Sequence, residues 1–328
     1  MILSLSINTQ AALLLTAPLI DGATESHVSL LTPTEYRKVC SLLARLDLQP
    51  SDLIQGMSAQ LPEELKALVD ESRLRSLLDR GFQLTQALER WQARSIWIVG
   101  HTDEEYPARI SNRLPDHAPA VIYACGDRGL LELGGLAVVG SRAVDDWLTL
   151  YTEDVGRLAA QSRTSIVSGG ARGIDQASMR GALDSGGNTV GVVSDSLERA
   201  ALNREHREFI LNGQLTLISP YDPSAGFNIG HAMQRNKLIY ALSDAALVVN
   251  SDFEKGGTWA GAIEQLDKFR LVPVYVRSKG ELGRGLEALQ QHGAIPWPEP
   301  TQPDDLLQLI ETAQNSGTRS GAEQLSLL

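Results

Sequence analysis

The chain has 328 residues, 43% of them hydrophobic and 21% charged, which is typical of a folded protein with a sizeable core and argues against extensive disorder. Its formal net charge is −11, so the average surface field repels nucleic acid, and any phosphate binding must come from local arginines and oriented backbone amides. Cys40 and Cys125 are too few for a disulfide framework and lack metal-site spacing, which favours a reducing, cytoplasmic setting.

The N-terminal part, residues 1–95, has the pattern of a small helical domain. Its apolar run over residues 11–20 is too short to cross a bilayer, and no basic residue precedes it, so we expect neither a membrane span nor a cleaved signal peptide. Further on, apolar residues recur at the spacing of a helix face, and Pro50, Pro62 and Gly81 mark the turns. The residues at this spacing are Tyr36, Val39, Leu42, Leu43 and Leu46, then Leu74, Leu77, Leu78 and Phe82.

From residue 96 the pattern changes to strands. Two short apolar runs, residues 96–100 and 120–126, enclose a connector in which Pro107, Pro115 and Pro119 exclude a long helix. Later runs are apolar along their whole length and alternate with stretches long enough for crossover helices, as in parallel strands covered on both faces. They read LAVVGS, TSIVSG, NTVGVVS, LTLISP, ALVVNS and LVPVYV.

These runs predict a doubly wound α/β fold with a mostly parallel sheet, from about residue 135 to about residue 300. A short C-terminal tail, residues 301–328, follows with one or two amphipathic turns and then polar residues that we expect to fray. In open parallel sheets, ligands bind beyond the carboxyl ends of the strands, where helix N-termini present free amides. Three strand-to-helix junctions carry small or basic residues there: residues 140–142, 168–175 and 255–258.

The second junction, SGGARGID, suits an anion. Gly169 and Gly170 let the backbone approach a ligand, and Arg172 can present a forked donor to phosphate oxygens. Gly173 allows the turn into the helix, and Asp175 can cap that helix or bond a ribose hydroxyl. Glycines that only let a helix pack closely on a strand would look the same, although they would not explain the arginine.

The third junction, KGGT, repeats this pattern with Gly256, Gly257 and Thr258, although a plain turn with a capping threonine also fits. The first junction offers Gly140, Ser141 and Arg142.

No GxxxxGK[ST] sequence is present, and no GxGxxG opens the first crossover, which disfavours ATP hydrolysis and NAD binding. The sequence therefore predicts phosphate recognition without hydrolysis, and neither a cofactor nor a metal.

Arg235 and Lys237 begin a predicted helix, and they reach the same edge of the sheet if the loop 220–232 returns there.

Candidate catalytic groups are few. His206 and His231 have no serine or cysteine nucleophile at a diagnostic spacing. Asp175 and Glu264 could form a carboxylate pair across the cleft, but helix capping or cation binding explains them better. We therefore expect no catalytic residues.

Five motifs resemble, in order and spacing, the DNA processing protein A family, also called DprA or Smf. They are VVGSR, SGGARGIDQASMRGAL, GGNTVGVV, RNKLIYALSDAALVV and GGTWAGA, and the proline-rich connector is similar to that family's lead-in. The resemblance covers residues 95 to 295. It implies an extended Rossmann-like domain over residues 96–300 that binds single-stranded DNA without catalysis. It also implies a homodimer that hands the strand to a RecA-type recombinase in natural transformation.

The matching motifs imply which residues line a phosphate-binding groove. They are Arg142, Ser168, Gly169, Arg172, Arg235, Asn236 and Lys237, with Gly256, Gly257 and Thr258 at the later turn; Gly140, Ser141, Gly170, Gly173 and Asp175 complete the candidate set. Three positions depart from the family pattern: Met179 replaces a histidine, Pro220 a glutamate and Asn250 an acidic residue. The 28-residue tail is also too short for the usual winged-helix module, so the sequence predicts a divergent branch.

A rival hypothesis comes from a related superfamily that includes the LOG proteins. The stretch KGGTWAGAIE resembles their PGGxGTxxE signature, with Glu264 as the acid, but its spacing differs by one residue and its proline is missing. This resemblance implies a nucleotide-ligand sensor or a nucleotide N-glycosidase, for which antiviral defence would be a fitting role.

Overall fold

A computed structural model describes residues 5–19, 29–55 and 61–325 of the chain, with side chains as far as residue 315. Nine strands form one sheet: β1 Trp97–Gly100, β2 Val121–Cys125, β3 Leu136–Val139, β4 Ile166–Ser168, β5 Thr189–Val192, β6 Leu215–Ser219, β7 Ala245–Val248, β8 Val274–Val276 and β9 Ile295–Pro296. Their order is β1-β2-β6-β5-β4-β3-β7-β8-β9, and only the β1–β2 and β2–β6 pairs are antiparallel. The mostly parallel α/β sheet predicted from the apolar runs is confirmed.

Helices cover the sheet and build the N-terminal part. They are α1 Ile7–Thr16, α2 Pro33–Arg45, α3 Asp52–Gln55, α4 Glu63–Leu68, α5 Glu71–Leu78, α6 Gly81–Gln92, α7 Ala108–Arg113, α8 Asp146–Gln161, α9 Ile174–Asp184, α10 Leu197–Leu202, α11 Arg204–Leu211, α12 Ile229–Leu242, α13 Gly256–Glu264, α14 Arg284–Gln291 and α15 Pro303–Leu325. A 3₁₀ turn, Arg128–Glu132, precedes β3, and a π-helical turn, Gln265–Phe269, follows α13.

The central strand β3 shows why its sequence is apolar throughout. Leu136 and Val138 belong to one hydrophobic cluster, shared with α8 and α9, whereas Ala137 and Val139 belong to another, shared with α12 and α13. Because alternate residues of a strand point to opposite faces, both faces of β3 are buried. This is the doubly wound arrangement, with helices packed on each side of the sheet.

The N-terminal helices pack against the β1–β2 edge of the sheet. The ring of Trp91 in α6 is fully buried and meets the ring of Tyr123 in β2 edge-on, with 5.1 Å between centroids. Helix α2 begins with a capping box in which Thr32 and Glu35 satisfy each other's backbone amides. Arg73 of α5 pairs with Glu35 at 2.8 Å, and this guanidinium together with the Thr32 amide lowers the pKa of Glu35 to about 2. The predicted helical content of this part is confirmed.

The C-terminal segment departs from expectation. Instead of one or two turns, α15 runs from Pro303 to Leu325. Leu306, Ile310 and Ala313 form an apolar stripe that is buried against the neighbouring core, which holds the helix in place. No described helix is both long enough and apolar enough to span a bilayer.

Candidate functional site

The three glycine-rich junctions meet at the carboxyl ends of β4, β3 and β7, which are neighbours in the sheet. The Thr258 hydroxyl donates a hydrogen bond of 2.9 Å to the Gly140 carbonyl, linking the third junction to the first. The Ile174 amide donates to the Ser141 carbonyl at 3.4 Å, linking the second to the first. We call this region, residues 140–142, 168–175 and 255–258, the glycine edge.

Glycines at the second junction serve the turn as well as close packing. Gly170 and Gly173 have φ of +66° and +84°, which L residues with a Cβ rarely adopt. A Cβ on Gly173 would lie 2.5 Å from the Ser141 carbonyl oxygen. Helix α9 then begins without a side-chain cap, and the Ile174 and Gln176 amides donate to the backbone carbonyls of Ser141 and Ala171 instead. The close packing expected of these glycines is therefore observed, and anion binding at the turn stays a prediction.

Ser168, in contrast, is occupied within the fold. Its side chain is fully buried, and its hydroxyl donates a hydrogen bond of 2.6 Å to the Val138 carbonyl. This residue joins β4 to β3 rather than presenting a hydroxyl to a ligand.

Arg235 of α12 reaches into the centre of the glycine edge. Its guanidinium lies directly over Gly169, so close that a Cβ on this glycine would overlap it. The residue is only 5% exposed, and among the described residues its Nε and one terminal nitrogen have no hydrogen-bond partner. Burial lowers the pKa of Arg235, and the nearby Asp175 carboxylate opposes that effect. Buried donors of a charged group that lack a partner are energetically costly.

Asp175 lies beside this guanidinium and is also buried. Burial raises its pKa to about 6, while Arg235 and the backbone amides of Ala171, Gly140 and Gly169 pull the pKa down. The Ala171 amide donates to the carboxylate at 3.4 Å. Asp175 therefore holds the turn through the Ala171 amide and acts electrostatically on Arg235.

Two further arginines extend from the edge into solvent. Arg142 is exposed, and its guanidinium lies 5.1 Å from the centroid of the Phe227 ring, which is itself 55% exposed. Arg172 is exposed and makes no hydrogen bond or ion pair within the part of the chain that the structure describes. Both guanidinium groups are therefore available to an anionic ligand. Sequence reasoning missed Phe227, because a single aromatic residue in a loop carries no periodic signal.

The third junction does not match a plain capped turn. Gly256 begins α13 with φ of +79°, and no side chain caps this helix. The Thr258 hydroxyl bonds the Gly140 carbonyl instead, and Asn236 donates from Nδ2 to the Gly257 carbonyl at 2.9 Å. Asn236 thus fixes α12 against the start of α13, whose first amides face the edge.

Lys237 is not brought to the glycine edge. Two residues along a helix differ by about 200°, so Lys237 lies on the opposite side of α12 from Arg235. Its ammonium group donates to the Gln234 side chain at 2.7 Å and lies 5.8 Å from the Phe269 ring centroid. The two cations of the RNK motif therefore serve different surfaces.

The remaining titratable candidates each contact a different part of the fold. His206 contacts the Ala200 carbonyl through Nδ1 at 2.9 Å, and His231 stacks on Tyr221 with ring centroids 3.8 Å apart. Glu264 is the last residue of α13, about 12 Å along the helix from its start, and it lies 4.0 Å from the Lys268 ammonium group. Each carboxylate, Asp175 and Glu264, thus faces a cation.

Comparison with known proteins agrees with the motif resemblance. A putative DNA processing protein DprA from Mycobacterium tuberculosis is 28% identical over 265 residues, covering 74% of this chain and 64% of the relative. Protein Smf from Escherichia coli is 30% identical over 204 residues, covering 59% of this chain and 51% of the relative. This chain therefore spans less than two thirds of the length of either relative.

Two solved structures share the fold. The structure of DprA from Streptococcus pneumoniae aligns with a TM-score of 0.64 and 23% identity, covering 84% of this chain and 93% of that one. DNA processing protein A from Helicobacter pylori aligns with a TM-score of 0.53 and 23% identity, covering 67% of this chain and 96% of that one. The family model for DNA recombination-mediator protein A matches residues 97–311, from the first strand into the C-terminal helix. With this match over most of its length, the chain belongs to the DNA recombination-mediator protein A family.

Proposed function

We propose that the glycine edge binds single-stranded DNA through its phosphates, without catalysis. The observation that carries this proposal is Arg235, a buried cation with unpartnered donors at the meeting point of two uncapped helix N-termini. Support comes from the Helicobacter pylori relative, whose structure is described in terms of its single-stranded DNA binding mode.

The physical basis is local charge in an acidic protein. The first amides of α9 and α13 carry the positive ends of their helix dipoles, which favour a phosphate. Arg142 and Arg172 add forked donors that fit phosphate oxygens, and their exposure lets them follow a flexible strand. Phe227 beside Arg142 offers a ring on which a base can stack.

Family membership supports a proposal for the wider role. We propose a cytoplasmic homodimer that acts in DNA recombination and delivers the strand to a RecA-type recombinase. A role in natural transformation belongs to the same proposal. The LOG-like alternative has less support, because Glu264 lies at the far end of α13 from the glycines and faces Lys268.

The test is fluorescence anisotropy with a labelled, unstructured oligonucleotide at several salt concentrations. The double variant Arg142→Ala, Arg172→Ala is expected to bind at least tenfold more weakly, because each arginine contributes about 1 kcal/mol or more through charge-assisted bonds. A plot of the logarithm of the binding constant against the logarithm of the salt concentration has a negative slope. The magnitude of this slope should fall by about 0.7 for each phosphate that the variant no longer neutralises.

The matched control is Arg163→Ala. This variant removes an exposed arginine that precedes β4, at the amino-terminal ends of the parallel strands and so opposite the glycine edge. It should bind the strand as the parent does. If the double variant and the control bind equally well, the glycine edge is not the DNA site.

A further inference from the structure

A second concave site lies between the N-terminal helix α2 and helix α12. This cleft has a volume of about 1430 Å³, and its walls include Tyr36, Arg37, His117, Tyr221 and Lys237. Small-molecule sites are commonly about 300–1,000 Å³, so the cleft has room for an organic ligand together with bound water.

Helix α12 separates this cleft from the glycine edge. His231, Gln234 and Leu238, at helical spacing, face the cleft together with Lys237. Arg235 points the other way, over Gly169. A ligand in the cleft would therefore contact a different side of the helix from a strand bound at the edge.

Phe269 lies next to the cleft residues His117 and Lys237, and cationic groups gather around its ring. The ammonium groups of Lys237 and Lys268 lie 5.8 Å and 4.9 Å from the Phe269 ring centroid, and the His117 ring lies 5.2 Å from it. Arg37 of α2 is close enough to act electrostatically on both Lys237 and His117. We call Arg37, His117, Lys237, Lys268 and Phe269 the Phe269 cluster.

The charges of Arg37 and Lys268 each repel the Lys237 ammonium group. Burial lowers the pKa of His117, and the charges of Lys237, Lys268 and Arg37 lower it further. Burial also lowers the pKa of Lys237, an effect that Glu264 opposes and that Lys268 and Arg37 reinforce. Within the described ranges, neither Arg37 nor Lys237 forms an ion pair, and Glu264 is 4.0 Å from Lys268. Unpaired cations that lie close together are unexpected in a chain of net charge −11. An anion bound in the cleft would offset the repulsion between them.

The rest of the cleft suits the base and sugar of a nucleotide. Away from the Phe269 cluster its wall carries the stacked rings of Tyr221 and His231, 3.8 Å apart. His231 and Lys237 are six residues apart on α12, which places them about 9 Å apart along the helix axis. This separation matches a ligand with an aromatic group at one end and an anionic group at the other.

We propose that the cleft binds a nucleoside phosphate, with the phosphate at Arg37, His117 and Lys237 and the base towards Tyr221 and His231. This site lies apart from the glycine edge and goes beyond the proposed DNA binding. The nucleotide can be free or can be the 5′-phosphorylated end of a strand, since both present the same chemistry.

The experiment measures thermal shift and calorimetric binding of the full chain with AMP, GMP, CMP and UMP, with adenosine and inorganic phosphate as half-ligands. At least one nucleotide is expected to raise Tm, because a ligand that binds only the folded state stabilises it by mass action. Each half-ligand should give a smaller shift at the same concentration. No shift with any of the four nucleotides would overturn the proposal.

Variants locate the nucleotide. Arg37→Ala and Lys237→Ala should each weaken its binding about tenfold, whereas Lys237→Arg should retain most of it and Arg163→Ala all of it. Circular dichroism and Tm without ligand show whether each variant is folded. The double variant Arg142→Ala, Arg172→Ala should keep nucleotide binding while it loses the oligonucleotide. If this double variant loses the nucleotide and Arg37→Ala does not, the nucleotide occupies the glycine edge and the cleft proposal fails.

Competition then identifies the source. A 5′-phosphorylated oligonucleotide that displaces the nucleotide from the Arg142→Ala, Arg172→Ala variant supports the cleft as a site for a strand end. Absence of displacement supports a free nucleotide. Arg37→Ala should leave oligonucleotide binding unchanged. That outcome would show that DNA binding at the glycine edge is independent of whether the strand end displaces the nucleotide.

Discussion

The glycine edge and the Phe269 cluster are two cationic regions on opposite sides of α12, and they are built differently. At the edge, backbone amides and a 5% exposed Arg235 are held by glycines that allow close approach. In the cluster, long side chains from α2, α12 and the π-helical turn converge with little backbone contribution. A site built from backbone depends on local sequence, whereas a site built from side chains depends on how distant elements pack.

The largest expected effect comes from Gly173→Ala, which tests whether the edge depends on its backbone. With φ of +84° and the Ser141 carbonyl oxygen 2.5 Å from the added Cβ, this change is expected to cost on the order of 3 kcal/mol. Oligonucleotide binding should fall with it, while nucleotide binding in the cleft persists in the folded fraction. Denaturant unfolding and anisotropy measure the two effects.

Its matched control is Gly186→Ala. Gly186 also has a positive φ, +77°, but an added Cβ there meets nothing within 4 Å. Only the conformational cost, about 1 kcal/mol, should remain. Equal costs for the two variants would show that the tight contact at Gly173 does not matter.

The next effect concerns the buried Asp175 carboxyl and its pH dependence. Its pKa rises from 3.8 to about 6 on folding, so its favourable contribution is complete below pH 3.8 and is lost as the pH rises through 6. Asp175→Asn removes this loss. The stability of the variant relative to the parent should therefore increase by about 2 kcal/mol between pH 4 and pH 7.

Urea unfolding at the two pH values measures this difference for the parent and the variant. A variant whose relative stability stays constant, or falls as the pH rises, would show that the carboxyl is not held in the way the edge geometry implies.

Phe227→Ala tests whether the edge reads bases as well as phosphates. Loss of one stacked base costs about 1–3 kcal/mol, so oligonucleotide affinity should fall roughly tenfold, and stability should change little because the ring is 55% exposed. The control is Phe82→Ala, which removes a ring that is 72% exposed on the N-terminal helix α6. Equal affinities for both variants would mean that Phe227 does not contact the strand.

The smallest effect is expected from Thr258→Val, which keeps the shape of the side chain and removes its hydrogen bond to the Gly140 carbonyl. The expected loss is about 1 kcal/mol of stability. Oligonucleotide affinity should fall only severalfold, because the amides at the start of α13 remain. Thermal unfolding and anisotropy measure both, and a loss as large as that of Gly173→Ala would show that the third junction dominates the edge.

Several elements were predictable because their signals are local. The eight longer strands came from apolar runs, but the two-residue strand β9 and the antiparallel pairing of β1 and β2 left no such signal. Helix α15 was underestimated, because its apolar stripe of Leu306, Ile310 and Ala313 gains its stability from the neighbouring core.

The candidate site divides in the same way. Glycine permits the positive φ of Gly170 and Gly173, so the sequence by itself determined where the chain can turn between β4 and α9. Only the tertiary structure decided which way side chains point: Ser168 into the sheet, Arg235 onto Gly169 and Lys237 towards Phe269. The physical reason is range, since a backbone turn depends on a few adjacent residues, whereas the direction that a helix face takes depends on packing against partners from distant parts of the chain.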